Sequence, residues 1–168
     1  KVFFCNSGAE ANEAAIKLAR KFGNPERNEV ITMERSFHGR TLATVTATGQ
    51  KKFQKGFDPL PTGFVTVPFN DIRALERAIS AKTVAVMLEP IQGEGGVCVA
   101  DAQYLSAVRK ICTEKNILLI FDEVQSGMGR TGKMFAYQNL GIEPDMLTLA
   151  KALGGGFPIG ALVAKKEI

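Results

Sequence analysis

Residues 118–135 read LLIFDEVQSGMGRTGKMF. The apolar run Leu118–Phe121 ends in an acidic pair, Asp122 and Glu123, and a glycine-rich loop with a lysine follows. The run is short, continuous and unbroken by polar residues, which predicts a strand covered on both faces, the kind found in parallel sheets. The loop Gly127–Met134 comes close to the nucleotide-binding template G-x-x-x-x-G-K-[ST]. Two features count against that reading. Met134 stands where a hydroxyl would hold magnesium, and the acidic pair separates strand and loop, which in a phosphate-binding loop follow one another directly. The carboxylates therefore need another partner.

Working outward, further strand-like runs lie at Val2–Cys5, Val30–Met33, Phe64–Val67, Val84–Leu88, Met146–Leu149 and Ile159–Val163. Helical patterns separate most of them. Between Ala9 and Phe22 apolar residues recur at 11, 14, 15, 18, 19 and 22, and Asp71–Ser80 and Asp101–Lys115 are amphipathic, each opened by an Asp able to cap a helix. Alternating strands and helices predict an α/β domain with a mostly parallel sheet flanked by helices. Residues 1–168 show no internal repeat and no boundary, so one domain is expected. Both ends of the sequence fall close to strand-like runs, as expected of a segment of a longer protein.

Bulk properties exclude several classes. The formal net charge is +4, with basic residues scattered singly or in pairs, so no basic patch suited to nucleic acid is visible. No apolar run approaches the roughly 20 residues needed to span a bilayer. Cys5, Cys98 and Cys112 have no metal-ligand spacing, and the chain has one histidine. The cysteines are expected to be reduced, to pack as small apolar residues, and to fit a cytoplasmic protein.

In open α/β sheets ligands gather at the carboxyl ends of the strands, and the loops there carry chemistry. Asn6-Ser7-Gly8-Ala9 opens a helix, so it suits either an anion on free N–H groups or a simple capped turn. Ser36–Thr41 carries Phe37, His38 and Arg40: an aromatic to stack on a flat ring and a guanidinium to grip a carboxylate, or a core Phe beside a solvated Arg. His38 could lie near a ligand, though a structural or solvated role is the plainer expectation. Glu89-Pro-Ile-Gln-Gly-Glu94 offers two carboxylates as acid and base, or as hinge and ion-pair residues. Lys151 sits between an apolar run and the triple glycine 154–156, where loss of its proton would make it a nucleophile.

An anion site, a stacking aromatic, a carboxylate-binding Arg, a buried Asp and a Lys 29 residues beyond it suit one ligand. Pyridoxal 5'-phosphate has a phosphate, a flat ring, a ring nitrogen that must stay protonated and an aldehyde that condenses with lysine. Asp122 would then pair with the ring nitrogen.

Five stretches, NSGAEANEAAIKLAR, FHGRTLATVTATG, EPIQGEGGV, FDEVQSGMGRTGKMFAY and LAKALGGGFPIGA, occur in this order. With them the chain closely resembles, along its whole length, the class III (ornithine-type) pyridoxal-phosphate aminotransferases, and within them the acetylornithine branch. The resemblance implies a fold type I cofactor-binding large domain over residues 1–168, without the N-terminal segment and C-terminal small domain of the family. It implies that Lys151 bonds the cofactor and moves the proton, that Asp122 binds the ring nitrogen, and that Val124 and Phe37 cover the two ring faces. Gln125 would approach the ring hydroxyl, and Gly8 and Ala9, with Ser7 adjacent, would hold the phosphate. Arg40 would bind the substrate α-carboxylate, and Glu94 would be the glutamate that pairs with an arginine of the missing domain. Ala9 departs from the threonine of many relatives, which spares a backbone contact but not a hydroxyl one. The implied reaction moves the δ-amino group of N-acetylornithine to 2-oxoglutarate in a cytoplasmic homodimer. Ornithine, succinylornithine and 4-aminobutyrate aminotransferases, an aminomutase and a non-catalytic truncated domain are the alternatives; Arg40 speaks against 4-aminobutyrate, which has no α-carboxylate.

Overall fold

The computed structural model describes residues 1–168. Strand β1 (Val2–Cys5) leads into helix α1 (Gly8–Gly23), then β2 (Glu29–Met33), the short helices α2 (Leu42–Ala47) and α3 (Lys51–Gln54), and β3 (Phe64–Val67). Helix α4 (Ile72–Ala78), β4 (Thr83–Leu88), a small hairpin of β5 (Ile91–Gln92) and β6 (Cys98–Val99), and α5 (Ala102–Glu114) follow. The chain closes with β7 (Leu118–Asp122), α6 (Tyr137–Leu140), β8 (Met146–Leu149), a 3-10 turn (Lys151–Gly154) and β9 (Gly160–Ala164).

Seven strands form one sheet in the order β1-β9-β8-β7-β4-β2-β3. Pairs β8–β7, β7–β4, β4–β2 and β2–β3 are parallel, and β9 runs antiparallel to both neighbours. One reversed strand between β1 and β8 leaves those two parallel, so the ends of β1, β2, β4, β7 and β8 all point the same way. Every residue of β4, β7 and β8 is buried. That burial is why these strands read as unbroken apolar runs rather than alternating ones. Two cores follow: Ile31, Met33, Val86, Leu88, Leu105, Val108, Leu119 and Phe121 on the α5 side, and Ala15, Ile16, Ala19, Val84, Met87 and Ile120 under α1.

Helix α1 buries Ala11, Asn12, Ala15, Ile16 and Ala19. The buried stripe is rotated from the sequence expectation, leaving Phe22 exposed and placing Asn12 inside. Small alanines on that stripe let the helix approach the sheet closely, which is how the polar Asn12 reaches the strand ends. Asp71 caps α4 by accepting from Ala74 N at 2.9 Å, but Asp101, at the N-cap of α5, makes no side-chain cap bond. Of the three free cysteines only Cys112 is buried; Cys5 and Cys98 are half-buried, because β1 is an edge strand and β6 a two-residue surface strand. Val2, Phe3 and Phe4 of β1 are exposed. No helix is long and apolar enough to cross a membrane.

Candidate active site

Asp122 is the last residue of β7 and is buried. Its Oδ2 accepts from His38 Nδ1 at 2.8 Å and from Asn12 Nδ2 at 2.7 Å, and its Oδ1 accepts from the backbone N–H of Val124 at 3.0 Å. Asn12 is itself fixed. Its Nδ2 also donates to the His38 carbonyl at 2.7 Å, and its Oδ1 accepts from Thr148 Oγ1 at 2.6 Å. Side chains from α1 and the loop after β2 thus converge on one carboxylate at the centre of the sheet, and Thr148 of β8 holds Asn12 in place. Burying a carboxylate is costly unless donors satisfy it, and here three do.

A cavity of about 580 Å³ opens above this carboxylate, at the carboxyl ends of the strands. Ser7, Gly8, Ala9, Phe37, Arg40, Asp122, Val124, Gln125 and Lys151 all line it, together with Asn12, His38 and Glu89. Glu94 does not: it is exposed on the turn between β5 and β6.

The first turn of α1 forms one wall. Ser7 is the N-cap; its Oγ accepts from Glu10 N at 3.2 Å and its carbonyl from Ala11 N at 3.0 Å. Glu10 reaches back to the Asn6 N–H at 2.6 Å, and that bond leads the interactions that lower its pKa. The N–H groups of Gly8 and Ala9 have no partner within the helix, as at any helix start. The capped turn, one of the two alternatives in the sequence, is present, and it leaves these N–H groups unoccupied. Gly39, at φ +140°, brings the Ser36–Thr41 loop against this turn: a Cβ there would meet Ala9 Cβ at 2.8 Å. Phe37 is half-buried, edge-on to Phe53 with centroids 5.3 Å apart, and the exposed Arg40 holds its guanidinium 5.8 Å from the Phe37 ring and 5.2 Å from the Phe53 ring. Such cation–π contact orients the guanidinium at the cavity rim without neutralising it.

Lys151 directly follows Ala150 at the end of β8 and is exposed on the cavity edge with φ 47°. A left-handed backbone at a residue with a Cβ costs roughly 1–3 kcal/mol and is held only where the surroundings impose it. Gln125 Nε2 is buried without a hydrogen-bond partner, so this wall retains an unused donor.

Glu89, at the carboxyl end of β4, is buried and pairs with no cation. Its Oε2 accepts from Phe37 N at 3.0 Å, and burial, with the nearby Asp122 charge, pushes its pKa up to about 7 against the pull of His38. Glu123 points the other way. It accepts from Ala136 N at 2.6 Å and Tyr137 N at 2.9 Å, and burial raises its pKa despite these bonds. The N–H groups that follow the glycine-rich loop are thus occupied by a carboxylate, and α6 is only four residues long, so the loop offers no phosphate cradle.

The protein-family model for class-III aminotransferases matches residues 1–168. The chain belongs to the class-III aminotransferases. Among curated members of the family, the acetylornithine aminotransferase of Methanocaldococcus jannaschii is 64% identical over 172 residues, which cover 100% of this chain and 43% of the relative. That of Gloeobacter violaceus is 61% identical over 170 residues, covering 99% and 42%. The chain therefore spans about two fifths of the length of these relatives. Among solved structures, the Toxoplasma gondii ornithine aminotransferase, with PLP partly occupying its active site, superposes with a TM-score of 0.95 at 36% identity over 100% of this chain and 41% of that one. A transaminase from the marine bacterium Virgibacillus gives 0.92 at 35% identity, covering 99% and 41%.

Two members of the site in this class-III aminotransferase, Asn12 and Thr148, escaped the sequence reading, and a third, His38, was left open between structural, solvated and ligand-near roles. Asn12 was hidden in an apparently ordinary helix; the signal available was a polar residue on the stripe of Ala11, Ala15 and Ala19. His38, for which a solvated role was open, is buried at 2% exposure. Thr148 lies inside a strand, where a hydroxyl alternating with leucines reads as β-propensity alone.

Proposed function

We propose that residues 1–168 form a partial large domain of a pyridoxal 5'-phosphate-dependent aminotransferase. In this reading it moves the δ-amino group of N-acetylornithine to 2-oxoglutarate, giving a semialdehyde and glutamate. The observation that carries the reading is the buried Asp122 carboxylate, held by three donors at the floor of a cavity with Lys151 on its edge. The residues present fit the cofactor. A fixed negative charge suits a protonated ring nitrogen, and the free N–H groups of Gly8 and Ala9 suit a phosphate. A Cβ on Gly8 would come within 2.9 Å of Val124 Cγ1, so glycine there keeps the helix start tight against the ring-binding wall.

When bound, pyridoxal phosphate supplies an aldehyde for the donor amine and a ring that accepts the electron pair released at the donor carbon. The protein supplies the rest. Asp122 keeps the ring nitrogen protonated, so the ring stays an electron sink. Val124 and Phe37, both lining the cavity, would cover the two ring faces and exclude water. Gln125, whose amide nitrogen is buried without a partner, would be available to the ring hydroxyl. Lys151, on the cavity edge, would anchor the cofactor and would take and return the proton at the reacting carbon. Arg40, oriented by Phe37 and Phe53, grips an α-carboxylate in a bidentate fork. Glu94, outside the cavity, fits a role in pairing with an arginine from another part of a longer chain. The names of the relatives support acetylornithine over ornithine, succinylornithine or 4-aminobutyrate as donor. A cytoplasmic homodimer with no nucleic-acid or membrane partner completes the reading.

The test is the visible absorption spectrum with pyridoxal phosphate of this chain and of a version extended at both ends to the relatives' length. A band that Lys151→Ala abolishes, and that borohydride fixes covalently on the Lys151 peptide, supports the reading; N-acetylornithine should then discharge it faster than ornithine. A band only in the extended version makes the segment a non-catalytic part, and no band in either overturns the reading.

A further inference from the structure

We propose that Glu89 is a positioning residue for the loop that meets the substrate: its carboxyl group grips the Phe37 N–H from inside the cavity and so fixes the Phe37 ring over the ligand and the aim of Arg40. That role rests on the aminotransferase reading for what Phe37 and Arg40 bind, while the Glu89–Phe37 bond stands on geometry.

On its outer side the loop Ser36–Thr41 is tied to the α2 region. Ser36 Oγ accepts from Gly49 N at 3.0 Å, His38 N donates to Thr48 Oγ1 at 2.9 Å, and Thr41 N donates to Thr44 Oγ1 at 3.1 Å. All three partners lie within residues 44–49, which contribute no strand to the sheet. Phe37 N points the other way. It donates to Glu89 Oε2 at 3.0 Å and so ties the loop to β4, an interior strand. Glu89 is a firm base for that tie. Strand β4 is buried throughout, and the next residue, Pro90, has a ring-fixed φ and a carbonyl that accepts from Ala100 N at 3.0 Å. Any movement of Phe37 would carry Arg40 with it. The Arg40 guanidinium stands 5.8 Å from the Phe37 ring and 5.2 Å from the Phe53 ring, and the two rings meet edge to face. Loss of the Glu89 bond would free the Phe37 backbone, and with it the ring and the guanidinium on that ring.

A neutral side chain would suffice to accept one N–H. Glu89 brings a second oxygen as well: Oε1 has no partner in the protein and borders the cavity. A buried carboxyl group with a single donor costs stability, and such costs are kept where function uses them. The charged and titratable groups facing Glu89 are His38 in the loop after β2, Asp122 at the end of β7 and Lys151 after β8. Burial, with the Asp122 charge, pushes its pKa up to about 7 against the pull of His38, the Phe37 N–H and Lys151. Ionisation strengthens the bond to Phe37, since a charged acceptor holds an N–H roughly twice as strongly as a neutral one. The grip on the loop is therefore tighter above about pH 7 than below it. A carboxyl group kept only for packing would give the substrate loop no such dependence.

The experiment has two arms and two variants. In Glu89→Gln the amide oxygen still accepts from Phe37 N but does not titrate; Glu89→Leu fills the space without an acceptor. In the first arm the cofactor-free chain is labelled with heavy nitrogen on phenylalanine, and the Phe37 amide is identified by NMR as the one signal of eleven lost in Phe37→Tyr. The expected result is an amide protected from hydrogen exchange in wild type and Glu89→Gln, exchange about tenfold faster in Glu89→Leu, and a pH step in its chemical shift in wild type alone. In the second arm the chain extended to the relatives' length and loaded with pyridoxal phosphate is assayed with N-acetylornithine and with N-acetyl-1,4-diaminobutane, the same donor without its carboxylate. In Glu89→Leu the KM for N-acetylornithine should rise about tenfold with a smaller change in kcat, while the KM for the donor without a carboxylate stays close to wild type. Glu89→Gln should recover most of the loss and should lack the fall in KM that wild type shows as pH rises through neutrality. A Phe37 amide equally protected in Glu89→Leu would overturn the inference, as would a rise in KM equal for the two donors. Should Glu89→Leu fail to fold, Glu89→Gln decides, because a pH step in the Phe37 amide that outlives the carboxyl group would overturn the grip. No turnover of either donor by wild type counts against the aminotransferase reading, and the Phe37 amide then judges the Glu89 bond by itself.

Discussion

Gly8, in the first turn of α1, lies so close to the side chain of Val124 that a Cβ on Gly8 would stand 2.9 Å from Cγ1 and 3.0 Å from Cγ2. The helix start and the strand end that flank the cavity are therefore in direct contact, and the spacing between them is set by a missing methyl group. Gly8→Ala should force Val124 or the helix to move, destabilising the chain by about 1–3 kcal/mol. Urea unfolding would register this as a lower midpoint with an unchanged slope. An unchanged midpoint would mean that Val124 can turn away at no cost.

Asp122→Asn retains shape but loses the charge. In the proposed site the ring nitrogen would no longer be held protonated, and the new NH2 group would face either the Val124 N–H or both the His38 and Asn12 donors. Cofactor affinity should fall roughly ten- to a hundredfold, as expected for a charged hydrogen bond, with a larger loss in transamination rate than in substrate KM. Spectral titration and steady-state kinetics on the extended chain would measure both.

Glu89 gives a stability term with a definite sign. Burial raises its pKa from 4.5 to about 7. Between those values the folded chain holds a proton that the unfolded chain has released, so stability falls as pH rises from 4.5 through 7. The amount is on the order of 3 kcal/mol. Glu89→Gln, whose amide oxygen can still accept from Phe37 N, should match wild type near pH 4 and exceed it at pH 8. Urea unfolding at both pH values would detect the crossover in slope, and parallel curves would count against a buried, proton-holding Glu89.

Asp145 has the opposite sign. It accepts from Leu119 N, Arg109 Nη1 and Lys165 Nζ, each at 2.8 Å, and these donors outweigh its burial and lower its pKa from 3.8. Its contribution is complete above pH 3.8 and is lost as the pH falls through the lower folded value. Asp145→Asn should cost about 1–2 kcal/mol at pH 7, modest because the cations are partly solvated. The gap from wild type should close in acid, which thermal or urea unfolding at pH 7 and pH 3 would measure.

Much of this was legible in the residues. The seven sheet strands were readable because most are covered on both faces, so that burial wrote itself as unbroken runs such as Val84–Leu88 and Leu118–Phe121. Helices α2 and α3 were not, because six- and four-residue helices carry too little periodicity to register. Asp122 and Lys151 stood out as charged residues at the ends of apolar strands, and nine of the ten predicted site residues line one cavity. The tenth, Glu94, shares its sequence neighbourhood with the buried Glu89 but lies on an exposed turn, a difference that five residues of loop do not encode.

The sequence by itself determined the strand order of events along the chain, the loops that carry polar chemistry and the family. Those are local properties: hydrophobic period, turn chemistry and the short motifs that the backbone reads within a few residues. Only the tertiary structure decided which atoms surround Asp122. Asn12 and His38, 110 and 84 positions away, bond it directly, and Thr148, 26 positions beyond it, lies beside it in the sheet and holds Asn12, because parallel strands bring their ends to one edge of the sheet. Hydrogen bonds depend on distances of tenths of an ångström, and only the packed sheet sets those.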